Sequence, residues 1–363
     1  MAHTYFSRIL ILPDAGPKNP FQYLMVGFLR KNGLNAFAAP KLKLFSLYTA
    51  IKKTNPDVVY FDWIHSFILG KSLAATLMKS ITFVLEIMYA YHIKSISMVH
   101  TVHNIQNHKG IKVKFEKFVY RFFLLKCSRV RVYSLAVKNE IIAKFKILPE
   151  RIFVIQDIPF HHYYPNDSTK PESRLRLGLE SGDFVYLFFG RIEPYKGIQN
   201  LVEAFIKIAQ DNDRLVIAGE SLDKEYLLKL KNLTYLYPNI IWHNQFIDKN
   251  SVQYFFNAAD IVVFPFTKID HSGSVDLSLS FAKPVITLAT EASSSLLAHQ
   301  HFFLFRHPSK LADLMRKAKN SDLDIIGKQN FKIADSANYS DLLTLFKRAN
   351  IRENENTFRH EHI

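Results

Sequence analysis

Arg191 and Lys196 sit in the run Phe188-Phe189-Gly190-Arg191-Ile192-Glu193-Pro194-Tyr195-Lys196-Gly197. Two fixed positive charges on one short loop suit the binding of a diphosphate. Gly190 and Gly197 let the backbone come close to such a ligand. An apolar, β-rich stretch, 184–189, precedes the loop, and a helical pattern over 198–209 follows it. Strand, tight loop and helix is how α/β proteins bring an anion to a helix N-terminus. The same spacing also describes an ordinary strand-to-helix turn with two solvated cations. It lacks the Gly-Lys-Ser/Thr ending of a Walker loop and is not the dinucleotide pattern G-x-G-x-x-G.

A second group of reactive types lies at 100–108, where His100, His103 and His108 alternate with Asn104 and Asn107 behind an apolar strand at 96–99. A metal site needs converging ligands, and the segment holds no Asp, Glu or Cys, so no metal is expected. Histidine titrates near neutrality and can take the proton of an attacking hydroxyl, or hold that hydroxyl. His103 is the leading candidate for that work. Asp14, at the end of the first strand, is a second candidate base whose plainer reading is a solvated turn residue. His161 and His162, between Pro159 and Pro165, read as a hinge loop rather than a metal pair. A third stretch opens with His271-Ser272-Gly273-Ser274 and runs to Ile286. Its amides from Ser272 to Ser274 are placed to bind phosphate at the start of a helix. Asp270 and Asp276 are nearby carboxylates, and Asp276 reads as solvated.

The elements that must position these residues follow a regular pattern. Strands are predicted at 8–12, 35–38, 57–61, 96–99, 130–133 and 151–155 in the first half. In the second half they are predicted at 184–189, 215–220, 240–243 and 260–265. Helical patterns lie between them, at 21–31, 135–145, 198–209 and 251–259, with later ones at 309–318 and 340–349. Strand, loop and helix repeating at this pace predict doubly wound parallel sheets. Ligands of such sheets sit outside the carboxyl ends of the strands. That places the loop at 14–19, the turn with Asp62, Trp63 and His65, and the segment 100–104 on one side of the first sheet.

The chain of 363 residues is 48% apolar and carries a formal net charge of +15. It is long enough for two domains, and its charge points to an anionic partner. One cysteine, Cys127, excludes an intramolecular disulfide and fits a reducing compartment. No signal peptide is expected, and the apolar region 67–93, broken by Lys71, Lys79 and Glu86, is not expected to span a bilayer. Over 111–127, Lys112, Lys114, Lys117, Arg121 and Lys126 interleave with Phe115, Phe118, Val119, Phe122, Phe123 and Leu124. This stripe fits a core-facing helix or one lying in a membrane interface. The protein's overall charge favours membrane contact. No nucleic-acid motif accompanies it, so no nucleic acid is expected.

Gly190-Arg191-Ile192-x-Pro194-Tyr195-Lys196-Gly197 resembles the G-R-I-x-P-Y-K-G loop of family-4-like glycosyltransferases of the GT-B fold. Thr101-Val102-His103-Asn104 with His108 resembles the T-V-H-N-x-x-x-H segment of a bacterial subgroup, although Lys109 stands where that subgroup has Glu. Residues 272–286 resemble its S-G-x-x-x-x-A-L-S-F-G-K-P-V-I stretch. Leu277 falls where many relatives carry the second Glu of E-x7-E, which holds the donor ribose. The resemblance implies two Rossmann-like domains facing a central cleft. They are an acceptor-side domain over 1–165 and a donor-binding domain over 166–335. A helix at 336–351 would cross back, ahead of a disordered tail at 352–363. It implies that Arg191, Lys196, Gly190, Gly197, Ser272, Gly273 and Ser274 hold a nucleotide-sugar co-substrate. Asn19, Trp63, His65, Asn104 and His108 would line the acceptor side, and His103, Arg191, Lys196 and Asp14 would serve catalysis. The implied reaction moves a sugar from a UDP- or GDP-sugar to a hydroxyl. The acceptor would be lipid-linked or a growing polysaccharide at the cytoplasmic face of an anionic membrane. The rival readings are a nucleotide-sugar epimerase, a phosphorylase, or a non-catalytic basic membrane- or nucleic-acid-binding protein of the same fold.

Overall fold

The computed structural model describes residues 5–16, 19–42, 44–103, 105, 113–268, 271–337 and 339–348. Asn104, His108, Asp270 and the tail at 352–363 lie outside the described residues. The chain divides into two compact units. One is formed by residues 1–158 together with 338–363, and the other by 159–337.

In the first unit the strands are β1 (Arg8–Leu12), β2 (Asn35–Ala38), β3 (Val58–Phe61), β4 (Ser97–Thr101), β5 (Arg129–Val132) and β6 (Ile152–Val154). They form one parallel sheet in the order β2-β1-β3-β4-β5-β6. The helices are α1 (Pro20–Lys31), α2 (Ser46–Thr54), α3 (His65–Ile68), α4 (Leu73–Met88), α5 (Val113–Lys126) and α6 (Leu135–Phe145). The strands read as unbroken apolar runs because both faces of a parallel sheet are covered. Successive residues point to opposite faces. Leu10, Leu12, Val59 and Phe61 therefore enter a core with α2 to α6, while Ile9, Ile11, Val58 and Tyr60 enter a second core with Phe21, Met25 and Leu29 of α1.

That second core is completed by Leu342, Leu345 and Phe346 from the end of the chain. The segment forms a 3-10 helix, Ser340–Phe346, where the sequence predicts a longer helix. Phe6 donates to the Phe346 carbonyl, and Arg129 donates to the carbonyl of Leu345. With α1 alone on this face, the returning segment supplies the missing apolar cover.

The second unit holds β7 (Phe184–Phe189), β8 (Asp213–Ala218), β9 (Ile240–His243), β10 (Ile261–Val263), β11 (Val285–Leu288) and β12 (Leu304–Phe305). Its parallel sheet has the order β12-β11-β10-β7-β8-β9. The helices are α7 (Lys170–Arg176), α8 (Ile198–Ile206), α9 (Lys224–Thr234), α10 (Val252–Ala258), α11 (Gly273–Ser280), α12 (Glu291–Leu296), α13 (Leu311–Lys319) and α14 (Leu323–Asp335). The unit begins at Pro159, earlier than the boundary at 165 expected from the sequence. Phe160 donates from its backbone to Ser280 Oγ (3.1 Å), His161 Nε2 lies 3.4 Å from Asp335, and its ring meets Phe331 at 5.1 Å. The paired histidines thus belong to the packing of the second unit.

Candidate functional site

Strand order fixes where each sheet can bind. In the second sheet β7 and β10 are neighbours, and the chain leaves them in opposite directions. The loops after these two strands therefore part and leave a crevice at the carboxyl edge. The loop after β7 is the basic one. Gly190 takes φ 139° and Gly197 φ 71°, conformations that side chains rarely adopt. A Cβ on Gly197 would stand 2.0 Å from the Pro265 carbonyl oxygen, so this glycine lets the β7 and β10 loops touch. A Cβ on Gly219, at the end of β8, would stand 1.9 Å from the Gly190 carbonyl oxygen, and one on Gly190 would press on Ser274 Oγ at 3.1 Å. Three backbone segments are thereby drawn together, and Gly190 and Ser274, both candidate donor residues, meet.

The cations of this crevice differ in exposure. Arg191 is two-thirds exposed, with Glu193 3.8 Å away. Lys196 is partly buried, its ammonium 4.6 Å from the centre of the Phe266 ring and 5.0 Å from that of Tyr195. Loss of hydration lowers the Lys196 pKa to about 8, with Glu193 opposing and Arg191 adding to the shift. An anion reaching this ammonium would restore the charge that burial disfavours. Across the crevice, α11 begins at Gly273. Ser272 makes no side-chain cap, while the Val275 amide already donates to the Ser272 carbonyl. The first amides of a helix have no intrahelical acceptor, and the start of α11 at Gly273 and Ser274 lies beside the Gly190 backbone, the chemistry an anion site needs. Asp276, in the first turn, is not the solvated carboxylate expected from the sequence: it lies 2.8 Å from His271 Nε2 and is mostly covered. Leu277, where the resemblance expects a ribose-binding Glu, is buried.

In the first sheet the reversal falls between β1 and β3. Trp63, which follows β3, stacks on His103, which follows β4, with ring centres 4.9 Å apart and planes 14° apart. Phe21 of α1 meets the same imidazole edge-on at 5.6 Å. His103 Nε2 lies 3.4 Å from Asp62 Oδ1, and Nδ1 lies 3.3 Å from the Tyr133 hydroxyl. Asp62 is buried, and its second oxygen accepts from Gln22 Nε2 at 2.9 Å. Behind this group Arg131, fully buried, pairs with Asp157 and stacks on Tyr133. The result is an imidazole fixed by rings on its faces and a carboxylate at one nitrogen, an arrangement suited to holding a hydroxyl or accepting its proton.

Other residues named from the sequence have different work. Asp14 is exposed and accepts from the Gly16 amide in a local turn (2.8 Å), the plainer of its two readings, and the carboxylate beside His103 is that of Asp62. Asn19 caps α1 through the Phe21 amide. His65 pairs with Glu116 at 2.5 Å and stands beside Tyr120, turned to the α5 side. His100 is buried between the Phe61 carbonyl and the Tyr120 hydroxyl, and burial lowers its pKa to about 3, so it is a neutral structural group. The sequence signal for Asp62 was its place directly after a buried strand. Nothing local marks Gln22 or Tyr133 as its neighbours.

Residues 169–335, nearly all of the second unit, match the family model of glycosyl transferases group 1. An uncharacterized glycosyltransferase of Methanocaldococcus jannaschii is 25% identical over 179 residues, covering 48% of this chain and 45% of that protein. Bacillus subtilis TuaC, a glycosyltransferase provisionally assigned to teichuronic acid biosynthesis, is 30% identical over 149 residues, 40% of this chain and 36% of that one. The chain thus spans less than half the length of either curated relative. Among solved structures, Anabaena HepE in complex with UDP-glucose superposes with a TM-score of 0.69 at 15% identity, over 98% of this chain and 100% of that one. The chain has the GT-B fold. A glycosyltransferase from Rickettsia africae agrees over 99% of both chains with a TM-score of 0.67 at 16% identity. In GT-B terms the first unit is the N-terminal Rossmann-like domain, completed by the chain's end, and the second is the C-terminal one.

Proposed function

We propose that this protein is a glycosyltransferase that moves a sugar from a nucleoside-diphosphate donor to a hydroxyl of a lipid-linked or polymeric saccharide at the cytoplasmic membrane face. The observation that carries this reading is the crevice between β7 and β10. There a glycine-shaped loop carries Arg191 and Lys196, and its Gly190 meets Ser274 at the start of α11. UDP or GDP is the ligand this loop suits: its diphosphate answers both cations and the amides of Gly273 and Ser274. The match of residues 169–335 to a glycosyl transferase family supports the same reading, as do UDP-sugar complexes of a protein of the same fold.

In the transfer, the acceptor oxygen bonds to the anomeric carbon of the sugar as the bond from that carbon to the β-phosphate oxygen breaks. Negative charge grows on the leaving diphosphate, where Arg191 and Lys196 stabilise it. The acceptor proton passes to Nδ1 of His103, whose Nε2–H is held by Asp62, as the acceptor hydroxyl takes the place of the Tyr133 hydroxyl beside Nδ1. Arg191 and Lys196 supply countercharge, and no metal is assigned a role. A lipid-linked acceptor is favoured by the net charge of +15, which suits a chain working against anionic lipid.

The test is release of UDP or GDP from UDP- and GDP-sugars with and without saccharide acceptors. Release that depends on acceptor and falls at least ~100-fold in His103→Ala supports the proposal. Turnover of the donor sugar to its epimer without acceptor, or release of a sugar phosphate, would replace it with one of the rival chemistries.

A further inference from the structure

The surface of a helix built into a core is usually polar on its outer side. α4 departs from this. Its inner side enters the first core through Phe83 and Ile87, 1% and 0% exposed. Its outer side carries Leu73, Leu77, Ile81, Leu85 and Met88, all exposed, with Leu73 73% and Leu85 61% open to solvent. These positions repeat at three- and four-residue spacing, so they form one continuous stripe along the helix. The helix continues through a π-helical turn, Tyr89–Ile93, that leaves Ile93 70% exposed. Among the described residues, 73–93 is the one helical stretch long and apolar enough to cross a bilayer. Its inner side is nevertheless fixed in the core, so the stretch lies across the unit as a surface helix.

The charges around the stripe are arranged by sign. α4 and its neighbour α5 each carry one carboxylate, and both are turned inward. Glu86 is buried and accepts from the Tyr48 amide, while Glu116 is buried against His65. α2, which also packs on α4, has no acidic residue. Most cations are outward: Lys71 and Lys94 stand exposed just beyond the two ends of the apolar stretch, Lys117 stands exposed on α5, and Arg121 is exposed there with its Nε donating to the Phe145 carbonyl, while Lys79 of α4 is turned to the Ser66 and Leu69 carbonyls. On α5, residues Val119, Tyr120, Phe123 and Leu124 face the core, so most of the apolar stripe at 111–127 is packing, and Phe118 alone of its aromatics is strongly exposed.

We infer that the outward face of α4 docks on an anionic lipid bilayer, with its leucine stripe in the headgroup–acyl boundary and Lys71, Lys94, Lys117 and Arg121 on the lipid phosphates. An interfacial helix needs this pairing of an apolar stripe with flanking cations. A second copy of the chain fits less well, because it would bring the same cations against one another with both carboxylates buried. The inference deepens the proposed membrane site of the transferase. It can be tested without any donor or acceptor.

The experiment is flotation with phosphatidylcholine vesicles and with vesicles that also contain phosphatidylglycerol. Two variants accompany the wild type: Leu77→Gln/Ile81→Gln/Leu85→Gln and Lys71→Gln/Lys94→Gln. Wild type is expected to partition at least ~10-fold better onto the anionic vesicles. The leucine variant should lose at least ~10-fold of that partition, and the lysine variant about 3-fold or more. UDP and GDP binding by calorimetry on the same samples reports whether the donor unit is intact. Equal partition onto both vesicle types, or a leucine variant that floats like wild type, overturns the inference. So does a wild-type dimer in sedimentation that ignores vesicles and that the leucine variant dissociates, since a second copy then covers the face. Nucleotide binding by a protein that ignores vesicles would sink the lipid face and leave the transferase reading in place.

Discussion

The crevice after β1 and β3 is lined by rings, a histidine and a buried carboxylate, whereas the crevice after β7 and β10 is lined by glycines, cations and the uncapped start of α11. The two sheets share parallel topology and a reversal of strand order, so the backbone offers the same kind of edge twice. What differs is how each edge is held. Around His103 the fixing is done by side chains, with Trp63, Phe21, Tyr133 and Asp62 each touching the imidazole. Around Gly190 it is done by backbone, through approaches that no side chain would permit. A site built from side chains suits proton handling by one group. A site built from backbone suits a multiply charged anion that meets many donors at once.

If the first crevice performs proton transfer and the second binds the donor, changes in each should separate. His103→Ala is expected to lower kcat by ~10²- to 10⁴-fold while the nucleotide Kd moves less than ~2-fold. Steady-state kinetics beside calorimetry would show it, and a matching loss of nucleotide affinity would break the division. Gly219→Ala should act on the other side. With φ at 147° and a carbonyl 1.9 Å from the new Cβ, the substitution is expected to cost about 3 kcal/mol, read as a lower denaturation midpoint with nucleotide binding impaired.

The buried ammonium supplies a pH test confined to the second crevice. Its free-state pKa is lowered to about 8, and a bound diphosphate favours the charged form. Nucleotide affinity should therefore be full below about pH 7 and fall ~10-fold by about pH 9, with proton uptake on binding in that range. Lys196→Arg should flatten the profile, because guanidinium stays charged. For stability of the free protein the sign is opposite: a lysine with a depressed folded pKa destabilises the charged form, and that cost is relieved as pH rises above about 8. Affinity that is level across this window would show that Lys196 does not meet the phosphate charge. The smallest effect belongs to Tyr133→Phe, which removes one hydroxyl from the imidazole. About 3-fold in kcat is expected, with no change in nucleotide Kd.

Much of this arrangement was legible in the sequence because parallel strands are continuous apolar runs. β1, β2, β7 and β9 fall where the residue pattern puts them. The strand–loop–helix geometry of 184–206 was legible too, since two glycines bound one short segment between an apolar run and a helical pattern. α2, α9 and α14 were not, because lysines and other polar residues interrupt their apolar faces. Nor was the role of Asp62, whose partners Gln22 and His103 lie 40 and 41 residues away in sequence. Asp14, the other carboxylate after a strand, has the turn contact with Gly16 that its plainer reading describes. Asp276 reads as solvated from its place in the sequence, but His271 pairs with it and covers it. For Asp62 the deciding contacts are tertiary, and spacing along the chain carries no trace of them; for Asp14 and Asp276 the partners are close in sequence, and what the residue pattern leaves open is the local backbone geometry that brings them together.

The most direct measurement is calorimetric binding of UDP and GDP to wild type and to Arg191→Ala/Lys196→Ala. Saturable binding of one nucleotide, weakened at least ~100-fold in the double variant, is the predicted result, since two charge-assisted contacts to the diphosphate are lost. A folded wild-type protein that binds neither nucleotide, or a double variant that binds as wild type does, would contradict the assignment of the β7–β10 crevice as the donor site.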